Sequence, residues 1–390
     1  MWIKSNKLRL TDFIVEILKC SLNDSEKYMG SGCNGPYNDK QTLVRNYGYW
    51  LINFSKCFEL TGDQIYLDKV YELSHFLFSK KSRPYGYSFH HRLHENKDKC
   101  NGLIGQAWTF EALTYASIVT KDPKYVELAE NVFFQHVFNY DCGLWNRLEI
   151  DGTVLSIDST FNHQLWFTAC SSMLKTPRQK EISERISCFM DQLNNNLTVL
   201  DNGLIYHPIE NQILPNQSEQ TSESFLMSVA RIFLSSFGLI NSKINKNTLK
   251  HRERMIYKSI GYHQFNMYAF AILKQSFPDH FFWDSLKFHR TVDYLISDEF
   301  KIGLNDNIYG YPYNPPGFEI PFVLNVFSNL SEYDLVDICS WWVNEQIKRC
   351  YEPKTRMMIR NTEDPLTHTA RIYELTRLPN SILEKIEVSI

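Results

Sequence analysis

Thr61-Gly-Asp-Gln-Ile-Tyr66-Leu and Thr120-Lys-Asp-Pro-Lys-Tyr125-Val, 59 residues apart, carry the same signal: a short turn that opens an amphipathic helix. Lys175-Thr-Pro-Arg178 opens a third such helix 55 residues further on. Each helix is followed by a short segment in which a glycine precedes a cation or histidine by four residues: Gly86-Tyr-Ser-Phe-His90, Gly143-Leu-Trp-Asn-Arg147 and Gly203-Leu-Ile-Tyr-His207. An apolar helix comes next, so the repeating unit is helix, tight turn, helix, hairpin-like loop.

Apolar spacing of three and four sorts the helices into two groups. Those near 41–60, 102–118, 160–174, 262–275, 317–329 and 366–376 are apolar on several sides and read as buried inner helices. Those near 9–28, 63–80, 123–137, 178–195, 280–297 and 333–349 have one polar face and read as outer helices. Six of each predict an all-α single domain over 1–390, a closed double ring of helical hairpins with short β-hairpins at its mouth. Residues 216–258 then become an inserted helical pair, one helix apolar and one basic, Lys246 to Arg254; a seven-hairpin ring that uses them is the competing count.

Composition agrees with a folded, aromatic-rich chain: 390 residues, 43% hydrophobic, 22% charged and 14% aromatic. Lys+Arg 41 against Asp+Glu 44 leaves a net charge of −3 without a basic run, which gives no footprint for nucleic acid. The N-terminal residues MWIKSNKLRLTDFIVEILKC lack an unbroken apolar stretch and a small-residue cleavage site, so no secretion signal is read. Phe225 to Ile240, the longest apolar stretch, is interrupted by Ser228, Arg231, Ser235 and Ser236 and falls short of the roughly 20 apolar residues a span needs. A peripheral membrane or protein contact is the role left to 216–258. Nine cysteines without a C-x-x-C pair suit reduced thiols in a cytoplasmic protein and provide no structural zinc site. No phosphate-cradling, dinucleotide or nucleophile-elbow motif occurs, so no cofactor is expected.

Three strings carry a family resemblance: Asn101-Gly-Leu-Ile-Gly-Gln-Ala-Trp108, Phe161-Asn-His-Gln-Leu-Trp166 and Gly261-Tyr-His-Gln-Phe-Asn266. They resemble the (α/α)6-toroid, six-hairpin glycosidase-like superfamily, and most of all a group found in gene clusters for surface polysaccharide and archaeal protein glycosylation. In element order the resemblance spans about residues 35–375. It implies carbohydrate chemistry on an oligo- or polysaccharide in a central cavity, without choosing among hydrolysis, elimination and epimerisation. Toroidal lyases also carry an Asn-His pair at the start of an inner helix, which Asn162-His163 resembles, although the longer lyase signature is missing.

In such a ring the loops before the inner helices converge on one mouth. The catalytic candidates are His163, His263 and His368, expected in the same first-turn position of three inner helices, with the carboxylates Glu319, Asp39 and Asp98. A helix N-terminus disfavours imidazolium and leaves a neutral ring able to take a proton. Glu319, after the aromatic loop Tyr309-Gly-Tyr-Pro-Tyr-Asn-Pro-Pro-Gly317, ranks first as an acid. Tyr37, Tyr85, Tyr87, Trp108, Trp166, Tyr262 and Tyr309 are the expected sugar platforms, with His90, His91, Gln106 and Asn162 as polar contacts. Arg45, Arg92 and Arg371 have the planar fork that suits a carboxylate. The cluster His90-His91-Arg92-Leu93-His94 is not read as a metal site, because adjacent residues on a strand point to opposite faces.

The leading expectation is a carbohydrate-active enzyme of surface-glycan biosynthesis acting as a glycoside hydrolase. The first alternative is proton abstraction from a uronic-acid sugar by histidine or tyrosine, giving elimination or epimerisation. The second is a non-catalytic glycan-binding or scaffold subunit.

Overall fold

The computed structural model describes residues 7–210 and 241–390. The repeated turn has one construction in both copies. Thr61 and Thr120 bond back through Oγ1 to the carbonyls of Cys57 and Ala116 (both 2.7 Å), closing one helix. The same hydroxyls accept from the amides of Asp63 (3.2 Å) and Asp122 (3.3 Å). Each aspartate then accepts an amide two residues on, Ile65 (3.2 Å) or Lys124 (3.1 Å), and so starts the next helix. Between them the chain turns through the left-handed region, at Gly62 (φ 68°) and at Lys121 (φ 58°).

Among the described residues the inner helices are α2 (Val44–Thr61), α4 (Gly102–Thr120), α6 (Phe161–Ser172), α8 (Asn241–Ser276), α10 (Pro316–Phe327) and α12 (Pro365–Ala370), which runs on as the 3-10 turn Arg371–Arg377. Each packs on the next, and the Arg371–Arg377 turn packs back onto α2, which closes the ring. The outer helices are α1 (Leu10–Asn23), α3 (Gln64–Phe78), α5 (Lys124–Gln135), α7 (Gln179–Asp191), α9 (Leu286–Ile296) and α11 (Glu332–Cys350). Chain ends complete the circuit: β1 (Lys7–Arg9) pairs antiparallel with β7 (Glu387–Ser389), beside α1. The expected (α/α)6 toroid is therefore the observed fold.

Small sheets decorate the mouth. β2 (Phe138–Asn139), β3 (Leu144–Leu148) and β4 (Val154–Ile157) form an antiparallel meander, and β5 (Tyr351–Glu352) pairs with β6 (Met357–Met358). No helix among the described residues is long and apolar enough to cross a membrane.

One boundary differs from expectation. Residues 216–240 of the expected insertion lie outside the described residues, and the basic helix expected at Lys246 to Arg254 is not separate from the inner helix at 262–275. Both belong to the unbroken α8. Gly261, read as a boundary, lies inside α8 because the helix passes tightly under the next loop. A Cβ there would stand 2.5 Å from Tyr309 and 2.8 Å from Asn307 Oδ1. The glycine is needed for close approach rather than to end the helix.

Candidate active site

The loops before the inner helices meet over a cavity of about 140 Å³. Of the residues expected at the site, Tyr37, Asp39, Arg45, Arg92, Trp108, Asn162, His163 and Tyr262 line it. Lys97, Lys258, Asn34, Asn101, His207 and Tyr313 line it as well. An adjoining recess is walled by Arg92, Asp98, Arg147, Asp158 and His163.

Charge is arranged in a definite order. Asp39, fully buried, is ion-paired to Arg92 (2.9 Å) and Lys97 (3.1 Å). Asp98 accepts from Arg92 (3.1 Å), Arg147 (2.8 Å) and the Gly102 amide (2.9 Å) at the start of α4. Arg45 lies 3.9 Å above the Trp108 ring and donates to Tyr49 (3.0 Å) and Asn34 Oδ1 (2.9 Å). Tyr37 and Tyr262 share a hydroxyl–hydroxyl bond of 2.8 Å. Burial holds both phenols well above their usual range, so both stay protonated.

His163 is the imidazole presented to the cavity. Its Nδ1 lies 2.8 Å from Asp158 Oδ2, which leaves Nε2 for a ligand. Burial alone would push the Asp158 carboxyl up. The His163 contact and the amides of Leu103 (3.1 Å) and Thr160 (3.2 Å) bring it down to about 2, so it remains a carboxylate. Gly102, at φ 58°, makes room for this pair: a Cβ would stand 2.6 Å from Asp158 Oδ2 and 2.8 Å from His163 Nδ1. His207 enters from the opposite loop, its ring 4.8 Å from that of Tyr262. Burial, with Lys258 and His163 nearby, holds His207 neutral.

Five buried polar atoms of the lining have no hydrogen-bond partner among the described residues: Asp39 Oδ1, Asn101 Nδ2, Trp108 Nε1, Asn162 Oδ1 and His207 Nδ1. Unsatisfied buried groups of this kind each cost about 1–3 kcal/mol. Gathered around one void, they mix donors and acceptors.

The three histidines do not surround a common cavity, which corrects the expectation. His263 is buried, accepts from the Ile205 amide (3.3 Å), bonds to the Thr291 carbonyl (2.9 Å) and packs on Tyr294 and Phe300. It does the work of two glutamines. Gln106 clasps Phe89 N (2.8 Å) and O (3.1 Å), and Gln164 clasps Trp145 N (3.0 Å) and O (2.8 Å), just after the repeated glycines. His263 thus matches Gln164, and His163 matches Tyr262. A one-residue offset turns a helical side chain by about 100° and carries it from the cavity to the clasp. His368, buried beside Gln346 (3.1 Å), faces α11.

Other expected residues take structural places too. Glu319 is buried in an ion cluster with Arg371 and Glu374, off the cavity. Arg371 supports the site from below, holding Asn314 Oδ1 (2.8 Å) and Tyr313 O (2.9 Å). Trp166 stacks on Phe265 (4.4 Å) and Tyr268 (5.6 Å) in the core. Gln106 serves its clasp, His91 bonds to Thr109 (3.1 Å) and His90 to the Arg92 carbonyl (2.9 Å). Tyr85 and Tyr87 are exposed away from the lining, and Tyr309 backs Tyr37 and Tyr262 from outside it. His207 was missed, although Gly203-Leu-Ile-Tyr-His207 displays it at the repeated loop position. Among the described residues no group of three or more His, Cys, Asp or Glu is placed to hold a metal ion.

No protein-family model matches the chain. A glycosylation protein of the archaeon Haloferax volcanii, archaeal glycosylation protein Q, is 38% identical over 359 residues, covering 92% of this chain and 94% of its own. The chain belongs to the archaeal glycosylation protein Q family. Among solved structures, cellobiose 2-epimerase from Spirochaeta thermophila superposes with a TM-score of 0.61 at 12% identity, with 97% of each chain covered. The α-1,6-mannanase GH76A of Salegentibacter sp. gives 0.54 at 12% identity, covering 95% of this chain and 98% of its own. At such identities the two structures share the toroid with the family, and the fold alone is established by them.

Proposed function

We propose that this member of the family is a glycan-processing enzyme in which His163, oriented by Asp158, takes a proton from the carbon next to the carboxylate of a uronic-acid sugar. The observation that carries this reading is how the charged groups at the cavity are paired. The carboxylates Asp39, Asp98 and Asp158 are each held by cations or by an imidazole and amides. Hydrolysis requires one carboxylic acid that is protonated at working pH. The polar groups left uncommitted by an ion pair are instead His163 Nε2, His207, whose ring burial holds neutral, and the Tyr37 and Tyr262 hydroxyls.

In the step itself the proton moves from C5 to His163 Nε2, and the C–H electrons spread into the carboxylate as an enediolate. Surrounding cations stabilise that developing charge without reorganising. If the electrons then expel the group at C4, a C4–C5 double bond forms and the leaving oxygen takes a proton from a tyrosine. If a tyrosine hydroxyl, Tyr37 or Tyr262, instead returns a proton to C5 on the face opposite His163, the sugar is epimerised. Cytoplasmic action fits the nine cysteines, all free thiols in the structure.

A second reading keeps glycoside hydrolysis. It is favoured by one feature, the unpartnered Oδ1 of Asp39, a carboxylate oxygen available to a bound sugar or water. Product analysis on the source organism's own surface glycan separates the two. An ultraviolet-absorbing unsaturated sugar or a stereochemically inverted one supports proton abstraction. New reducing ends with neither would give the site to hydrolysis, and saturable binding without turnover would make the chain a glycan-binding subunit.

A further inference from the structure

Among the described residues Lys258 is the cavity cation without an anionic partner. Arg92 and Lys97 are committed to Asp39 and Asp98, and Arg45 is held by Tyr49, Asn34 and the Trp108 face. Among the described residues no carboxylate lies within ion-pair distance of Lys258. Its ammonium stands over three rings instead, Tyr37 at 5.1 Å, Tyr262 at 5.5 Å and Tyr309 at 5.9 Å. Arg254, one turn earlier on α8, adds a charge of the same sign.

Such an arrangement costs stability, since a largely buried cation is desolvated without an opposing charge. Burial first, and then Arg254, bring the lysine down to about 8, so at neutral pH most of it carries its proton. An arriving anion would supply the missing partner, with the three rings as an aromatic collar around it.

The cavity also limits how much can enter. Its volume of about 140 Å³ is close to the ~150 Å³ of a cavity known to hold one benzene-sized ring. That is room for one sugar ring, and further sugars would extend into the adjoining recess walled by Asp98, Arg147 and Asp158 or out through the mouth.

We infer that Lys258 is the specificity-determining residue for an acidic sugar, receiving its carboxylate while His163 faces the carbon beside it. The inference rests on the proton-abstraction reading for its orientation, but its own content is recognition, and it is tested without turnover.

The probes are D-glucuronate, its neutral amide D-glucuronamide and D-glucose 6-phosphate, titrated calorimetrically into the full chain. Wild type is expected to bind glucuronate about tenfold or more tighter than the amide. K258Q should erase that difference, and K258R should restore part of it, with unchanged near-ultraviolet circular dichroism in both. Equal binding of acid and amide by wild type, discrimination that survives in K258Q, or no binding of any probe would overturn the inference. Tighter Lys258-dependent binding of glucose 6-phosphate would overturn the carboxylate assignment in favour of a phosphate. H163A serves as the control: it should lose turnover while glucuronate binding keeps its dependence on Lys258. Loss of that dependence alone removes this inference, whereas turnover by H163A removes the catalytic reading.

Discussion

Two regions inside the ring bury charge, and they do so in opposite ways. Around the cavity, Arg45, Arg92, Lys97 and Lys258 exceed the carboxylates, and five lining atoms lack partners. Deeper in the ring, Arg371 binds Glu319 and Glu374, and Arg377 binds Glu111, with every member at most partly exposed and none lining the cavity. Burial and the neighbouring Glu374 push Glu319 well above the usual carboxylate range, so the two acids share a proton against one arginine. The deep cluster pairs its charges within itself, although one oxygen each of Glu111, Glu319 and Glu374 has no hydrogen-bond partner among the described residues, whereas the cavity keeps an excess of cations around a void. Burial of charge is common to both, and what marks a site is the imbalance together with the void.

Breaking the deep cluster should therefore cost stability, with activity lost only as a consequence. Arg371→Ala leaves buried carboxyl groups without their cation, and about 3–5 kcal/mol of folding free energy is expected to go, measured by chemical denaturation. His163→Ala, at the cavity, should leave the denaturation midpoint nearly unchanged. Equal destabilisation by both would erase the distinction.

Two histidines one residue out of register give the next contrast. Burial brings His263 down to about 4 in the folded chain, against about 6.5 when unfolded. Its folded value is depressed, so the unfolded chain binds the extra proton between these values. The stability held by the neutral ring is complete above about pH 6.5 and falls as pH drops towards 4, by about 3 kcal/mol at most. His263→Gln should flatten that part of the stability–pH curve, and an unchanged slope would mean that His263 is not confined as described.

This contrast also shows what the sequence could and could not reveal. Turn chemistry is local, so Thr61-Gly-Asp and Thr120-Lys-Asp exposed the hairpin repeat, and the ring followed from counting. The strings at 161–166 and 261–266 were harder, because aligning His163 with His263 satisfies the eye while the backbone clasp aligns Gln164 with His263. Long-range bonds such as Ile205 N to His263 decide it, and nothing local encodes them. Glu319 failed for a related reason: its partner Arg371 lies 52 residues away. Arg45, Asp39 and Tyr37 were legible because the loop before an inner helix opens on the mouth in any such ring.

A smaller effect probes the positioning of the His163–Asp158 pair, proposed as the catalytic one. Gly102→Ala adds a methyl group where Asp158 and His163 already lie within 3 Å, in a left-handed backbone position. About 1–3 kcal/mol of strain is expected, with turnover falling more steeply than binding because the imidazole is displaced. A variant with wild-type turnover would mean that His163 need not be held where the structure holds it.

Solvent isotope exchange tests the central claim most directly. Wild-type protein incubated with a glycan that contains uronic acid in heavy water should place deuterium at C5 of any epimerised or recovered sugar, read by nuclear magnetic resonance. His163→Ala should reduce that exchange by a factor on the order of 10²–10⁴ while retaining a folded spectrum. Turnover of the glycan by wild-type protein with no deuterium at carbon, or undiminished exchange in the His163 variant, would contradict the account.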